Sequence, residues 1–308
     1  MPLLDVILGY DCNLWCDYCT ITAAMRTRSL TPAAVVAAMV QGRRDGFDRL
    51  SITGGEPTIF AHLLPIVRRA RRLGYVEIKV QSNGLLWAQT ANVARAVEAG
   101  VSSFSVSIHS HSRARYESIV QRADTYDAMV CGLTSLVSAN VPLSADVIVM
   151  RDTLDELADS VAWLDTLGIS RVQLWFVSLT DGNADNLDSM PSMTEALPAM
   201  RAAFAEGRRR GMTVRSLHVP RCLLGDDAGH AFDPAAEGVR VVTPEATFDL
   251  SRSRLAGQVH VAACRGCIDE AICPGLREDY LARFGDAEVA KARDRPSVRP
   301  GAVRLPIV

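Results

Sequence analysis

The chain is 308 residues long with 48% apolar residues, enough for one large domain, a small one and ample core. Its formal charge of −2 leaves no basic footprint of the kind nucleic acid requires, and no apolar run is long enough to span a bilayer. A strand-like segment follows Met1 directly where a signal peptide would stand, so the expected compartment is the cytoplasm, where eight cysteines read as ligands or reactive thiols before disulfides.

The first predicted strand, near residues 3–9, leads straight into Cys12, Cys16 and Cys19, three thiols within eight residues. Their C-x3-C-x2-C spacing departs from the paired C-x2-C knuckles of zinc sites and from the bacterial ferredoxin run. Three thiolates on a four-iron cubane leave one iron open to a substrate or cofactor; three structural thiols are the bland alternative. Further strands are predicted near 49–53, 76–81, 102–108, 143–150 and 171–177, alternating with helices near 32–44, 60–73, 89–99, 125–139, 153–167 and 194–210. Thr31-Pro32 is a helix start, and Gly74, Gly100 and Gly168 are helix stops. Six strands alternating with six helices predict an α/β fold, a partial (β/α)6 TIM-like barrel with its ligand at the carboxyl ends of the strands. Cys131, inside a helical stretch, reads as a small buried hydrophobe.

The loops after the strands carry the chemistry. After the second strand comes Thr53-Gly54-Gly55-Glu56-Pro57, where two glycines let backbone approach a ligand and Glu56 offers a carboxylate to an ammonium group; a tight turn is the alternative. The third strand ends in Gln81-Ser82-Asn83-Gly84, by itself an ordinary Asn-Gly turn. On the fourth, Ser105 and Ser107 alternate to one face, as a water-lined barrel also explains. His109 and His111 follow, weak candidates for proton transfer that a loop histidine bonded to its own backbone would equally account for. Arg151, past the fifth strand, either pairs its planar fork with a carboxylate or is solvated. Trp175 and Phe176 on the sixth read as core.

The repeat pattern stops at Gly211, which divides the chain into a barrel (1–211), a cysteine-rich domain (212–286) and a charged, proline-bearing tail (287–308), mobile or strapped on the surface. The middle segment has short strand-like pieces at 213–217 and 238–243 and a short amphipathic helix ending at Gly285. Cys222, Cys264, Cys267 and Cys273 are enough thiols to close either a zinc site or a four-iron cluster.

The pattern C-x3-C-x-aromatic-C with Tyr18 at the aromatic place, and GGEP about 35 residues later, resembles the radical S-adenosylmethionine (SAM) enzymes. The resemblance implies a 4Fe-4S cluster on Cys12, Cys16 and Cys19 whose open iron is chelated by the methionine part of SAM. One electron from the cluster then splits SAM and yields a 5'-deoxyadenosyl radical that takes a hydrogen atom from the substrate. It also implies cofactor contacts at Tyr18, Gly54, Gly55, Glu56, Asn83, Ser105, Ser107 and Val177, and a flavodoxin- or ferredoxin-type reductant. The C-x2-C-x5-C run resembles the SPASM and shorter twitch extensions, implying one auxiliary 4Fe-4S cluster. If Cys222 completes its ligands, it moves electrons and the reaction is a net oxidation, a dehydrogenation or bond formation; if not, an open iron remains for substrate. The C-terminal cysteine spacing and the Leu305-Pro306-Ile307-Val308 ending argue against the molybdenum-cofactor cyclases. The expected substrate is a peptide or natural product. With the first cluster cysteine at residue 12, no peptide-recognition domain precedes the barrel, so a separate protein delivers the peptide or the substrate is small, such as an aminocyclitol or sugar-like alcohol. A non-catalytic zinc or iron-sulfur binding module is the competing class.

Overall fold

The computed structural model describes residues 2–232, 237–252 and 259–293. The barrel repeat runs β1 (Leu3–Ile7), α1 (Pro32–Arg44), β2 (Arg49–Thr53), α2 (Leu63–Arg72), β3 (Glu77–Ser82), α3 (Thr90–Ala99), β4 (Ser103–Ser107), α4 (Arg113–Val120), α5 (Tyr126–Ser138), β5 (Leu143–Val149), α6 (Leu157–Thr166), β6 (Arg171–Phe176) and α7 (Met193–Arg210). Beyond it lie β7 (Thr213–Leu217), α8 (Arg221–Leu224), β8 (Ala231–Phe232), β9 (Val239–Val242), β10 (Thr247–Asp249), α9 (Glu278–Phe284) and α10 (Ala287–Arg293). The helix starts follow their sequence signals: Thr31 accepts from the Ala34 amide with Pro32 in the first turn, and Ser192 and Glu195 form a reciprocal capping box on α7. The short α4, after His111, is an element the periodicity did not separate from the loop.

Among the described residues the strands form one sheet in the order β10-β9-β1-β2-β3-β4-β5-β6-β7-β8, parallel from β9 through β8, with β10 antiparallel at the edge. The partial barrel stands, with more strands than six. β7 extends the sheet beside β6, Thr213 next to Arg171, and β9 returns to pair with β1, Val239 next to Leu3. The sheet therefore does not stop at 211. The helical half of the repeat fades there, but strand pairing needs only a few residues, and Val214 still packs on Gly207 of α7.

Strand alternation sorts the two faces of the sheet. Leu4, Val6, Leu50, Ile52, Ile78, Val80, Phe104 and Leu174 are buried under the helices. The alternate positions face the lumen and are polar: Asp5, Ser51, Lys79, Ser105, Asp146 and Gln173. Cys131 is exposed on α5 and not the buried hydrophobe expected, because it lies off the stripe formed by Met129, Gly132, Leu133 and Leu136.

A buried ion pair docks the C-terminal segment on the sheet. The Arg277 guanidinium donates to the carbonyls of Phe176 at 3.1 Å and Val177 at 2.6 Å, and pairs with Asp279 at 2.6 Å. Asp279 in turn accepts from the Leu179 amide at 2.8 Å. The tail begins docked: α10 buries Val289, and Glu288 accepts from the Thr194 amide at 2.8 Å. The rest of the expected tail, 294–308, lies outside the described residues.

Burial works to raise the Asp279 carboxyl, but the Arg277 charge and its hydrogen bonds outweigh it and leave the pKa below the ordinary value. A depressed folded-state pKa gives stability that is complete above the unfolded value, about 4, and is lost as pH falls through the folded one. Asp279→Asn is therefore expected to lower stability near neutrality by about 2–4 kcal/mol and to flatten the acid limb of the profile. Urea unfolding between pH 3 and 7 checks both.

Candidate active site

The loop between β1 and α1 is folded back on itself by Arg26. Its guanidinium donates to the carbonyls of Cys12 at 2.9 Å and Leu14 at 2.7 Å and lies 3.6 Å over the Trp15 ring. Trp15 and Asp17 donate their amides to Val120 and Ile119 at the end of α4. Cys12, Cys16 and Cys19 are thereby gathered, partly buried and unpaired in disulfides. Burial pushes the Cys16 thiol up to about 12, and the charges of Cys19 and Cys12 push the same way. Three soft thiol donors gathered on one loop are a set that a cationic metal centre would complete, so they fit the cluster that the sequence pattern implies.

Tyr18 is half-buried, with its hydroxyl 2.8 Å from His109 Nε2. Burial, then the Cys16 and Cys19 charges, push its pKa well up, and burial pushes the His109 imidazole down to about 3. His109 is thus a neutral group stacked on Tyr116 beneath the cysteine loop, which corrects its candidacy as a titrating group facing the pocket. His111 lies outside the barrel, 3.2 Å from Ser160 and 3.9 Å from Glu156. Arg151 pairs with Glu195 and donates to the carbonyls of Asp188 and Met190, so its fork is already engaged. Arg151 lines a surface pocket together with Asp17 of the cysteine loop.

GGEP lies against the cysteine loop. A Cβ on Gly55 would stand 2.1 Å from the Asp11 carbonyl oxygen, and one on Gly54, at φ +133°, 2.4 Å from that of Gly9. The amides of Gly55 and Glu56 donate to Gly9 and Asp11 at 2.9 and 2.8 Å. The close approach these glycines permit is between the two loops. Glu56 is buried at 3% exposure. Its Oε1 accepts from Thr58 and its Oε2 from the Asn83 amide at 2.7 Å, so it joins the second loop to the third. Asn83 in turn donates to the Asn13 side chain at 2.7 Å. Four sequence-predicted positions, Gly54, Gly55, Glu56 and Asn83, are thus brought together with Cys12.

Ser105 spends its hydroxyl on Asp146 at 2.6 Å, deep in the lumen. Ser107 sits beside Asp146 at the carboxyl end of β4. Val177 is fully buried, its amide bonded to Val149 and its carbonyl held by Arg277. At the other end of the chain, Cys222 on α8 joins Cys264, Cys267 and Cys273 in lining one small cavity. Burial, then the Cys273, Cys267 and Cys264 charges, push the Cys222 thiol up to about 11. Among the described residues, no three His, Cys, Asp or Glu side chains close on a single-ion site. Sequence reasoning missed Arg26, Lys79, Asp146, His218 and Arg277. A charged residue at the inward position of an apolar strand was a usable signal for Lys79 and Asp146.

Gly55→Ala is expected to force the first two loops apart, costing about 1–3 kcal/mol and lowering the iron retained at Cys12, Cys16 and Cys19. Thermal unfolding with iron analysis checks both.

Residues 6–164, just over half of the chain, match the Radical SAM superfamily. A probable GTP 3',8-cyclase of Saccharolobus solfataricus is 27% identical over 177 residues, 56% of each chain. The molybdenum cofactor biosynthesis protein 1 of Homo sapiens is 28% identical over 213 residues, 66% of this chain and 32% of that one. The chain therefore spans little more than half the length of the first of these relatives and a third of the second. Among solved structures, Streptococcus suis SuiB bound to S-adenosylmethionine superposes with a TM-score of 0.68 at 12% identity, over 93% of this chain and 75% of that one. Native anSMEcpe with bound AdoMet and Kp18Cys peptide gives 0.57 at 15% identity, over 70% and 64%. At such identities the likeness is one of fold, the mostly parallel sheet with its helices. With a three-cysteine loop locked to GGEP at the carboxyl ends of β1 and β2, and more than half of its length matched, the chain belongs to the radical SAM superfamily of enzymes.

Proposed function

We propose that this enzyme uses SAM-derived radical chemistry to oxidise a peptide or small natural product, by dehydrogenation or bond formation. The observation that carries the reading is that Cys222 joins Cys264, Cys267 and Cys273 around one cavity, four thiols where the SAM-binding loop offers three. When bound, a cluster at the first loop with SAM supplies a hydrogen-abstracting 5'-deoxyadenosyl radical, and a second, fully ligated cluster supplies a one-electron acceptor.

The chain's own residues hold this chemistry in place. Arg26 fixes the carbonyls on either side of Asn13, and Glu56 and Asn83 hold the next two loops against the same turn. Tyr18 and His109 back the loop with a pair that has no charge to leak. His218, just past β7 and edge-on to Trp175 at 5.6 Å, is kept neutral by burial and by Arg277.

A second reading, cyclisation of a guanine nucleotide, is favoured by the similarity to probable GTP 3',8-cyclases. The small-alcohol dehydrogenase is a variant of the first reading. The test is anaerobic reconstitution with iron and sulfide counting and assay of 5'-deoxyadenosine under a strong reductant. About eight irons per chain are expected, falling to about four with no cleavage in the Cys12/Cys16/Cys19 triple alanine variant. Four irons and one zinc in the wild type would remove the electron acceptor, and turnover of GTP would favour the second reading.

A further inference from the structure

Three successive carbonyls of the cysteine loop accept from guanidinium groups. Arg26 takes those of Cys12 and Leu14, and Arg122, from the turn after α4, takes that of Asn13 at 2.9 Å. The peptide unit joining Asn13 to Leu14 also meets a thiol at its other end, where the Leu14 amide donates to Cys12 Sγ at 3.4 Å. In a trans peptide the C=O and N–H point opposite ways, so Arg122 and the Cys12 sulfur sit on opposite sides of one planar group. A cation on the oxygen pins that plane and polarises the amide, which strengthens the N–H as a donor to sulfur.

The backbone under Arg122 is fixed. Gln121 caps α4 at φ +54° and Asp124 stands at φ +57°, a region that L side chains seldom enter. Glu117 secures the turn: its Oε1 accepts from the Thr125 and Tyr126 amides, each at 3.1 Å, and its carbonyl from the Arg122 amide at 3.3 Å. The Thr125 hydroxyl closes it by donating to the Arg122 carbonyl at 2.8 Å. The same end of the helix docks the cysteine loop, since the Ile119 and Val120 carbonyls accept from the Asp17 and Trp15 amides at 2.9 and 3.3 Å. Those two bonds suffice to anchor the loop on α4. The exposed Arg122 side chain adds a charge and a bond at the peptide that reaches the Cys12 sulfur.

We propose that Arg122 is a positioning residue for the first cluster: by holding the Asn13 carbonyl it aims the Leu14 amide at the Cys12 sulfur and so sets how readily a cluster bound there takes up an electron. Reduction adds one negative charge to the cluster, and an N–H donated to a ligand sulfur stabilises that charge. The step is a bare electron transfer in which an external low-potential donor loses one electron and the cluster gains it, with no proton moved and no bond broken. The proposal rests on the radical SAM reading for the cluster and is independent of the substrate.

The test has one arm with the cluster and one without. Anaerobically reconstituted wild type and Arg122→Met are titrated with titanium(III) citrate, and the reduced cluster is followed by electron paramagnetic resonance, the first cluster being told from a second by its change on adding SAM. Arg122→Met is expected to hold about four irons at the first loop, as the wild type does. Its equilibrium constant for reduction should fall about tenfold, a potential about 59 mV more negative for one electron. The difference should persist at about 1 M salt, where the Debye length is about 3 Å. In the apo chain, exchange of the Leu14 amide followed by NMR is expected to be severalfold faster in Arg122→Met than in the wild type. An unchanged potential overturns the proposal. So does a shift that vanishes in salt while Leu14 exchange stays unaltered, which would make Arg122 a distant charge and nothing more. Should Arg122→Met hold less iron, Arg122→Lys, which keeps the charge on a shorter single-headed donor, carries the comparison. A wild type that takes up no iron at Cys12, Cys16 and Cys19 fails the cluster reading, and the Leu14 exchange then decides by itself whether Arg122 governs that amide.

Discussion

The structure depends on the contact between two stretches of backbone, Gly9 to Asp11 and Gly54 to Glu56. Two amide-to-carbonyl bonds join them, and the second loop has no Cβ at the two positions of closest approach. Hydrogen bonds of this kind contribute only about 1 kcal/mol each, so their importance lies in geometry. They fix the height of the cysteine loop above the sheet, and everything else at the mouth is placed relative to it. Arg26 closes the loop from one side, and the β9–β10 turn supports it from another, where Glu245 accepts from Tyr10 at 2.6 Å and pairs with Arg28 at 3.0 Å.

Glu56 extends that constraint to a third strand. A buried carboxylate is tolerated where its oxygens are satisfied, and here the Thr58 and Asn83 amides meet both. Burial nevertheless raises its pKa, the cost of using a charged side chain as a structural tie. Asp146 shows the contrasting case on the same sheet, with one oxygen satisfied and one not.

How much of this was legible follows from what each residue contacts. The three cysteines, the GGEP turn and the alternation of strands and helices are local patterns, and a sequence carries local patterns openly. Glu56 was visible as a carboxylate, but its partners come from Thr58 and from Asn83 on another loop, which spacing does not reveal. His109 looked like a group at the pocket's edge because it ends a strand. Packing against Tyr18 and Tyr116 decided otherwise, since desolvation disfavours the imidazolium. The boundary at Gly211 failed for a related reason: the helical period is a long-window signal, whereas β7 and β9 join the sheet through five and four residues.

The Arg277–Asp279 pair shows why a boundary drawn from composition misleads about function. A buried ion pair is weak evidence for stability, because desolvation offsets most of its attraction. This one also satisfies two main-chain carbonyls, those of Phe176 and Val177, just where β6 ends. A strand's last carbonyls would otherwise turn to water or to a following helix. By accepting a guanidinium from the C-terminal segment they commit the mouth of the barrel to that segment, and α9 brings Tyr280 against Phe176 at 6.0 Å. Cys273 lies only four residues before Arg277, and Cys222 follows β7 directly. The chain that carries Cys273 is therefore tied to the end of β6, and the chain that carries Cys222 to the end of β7.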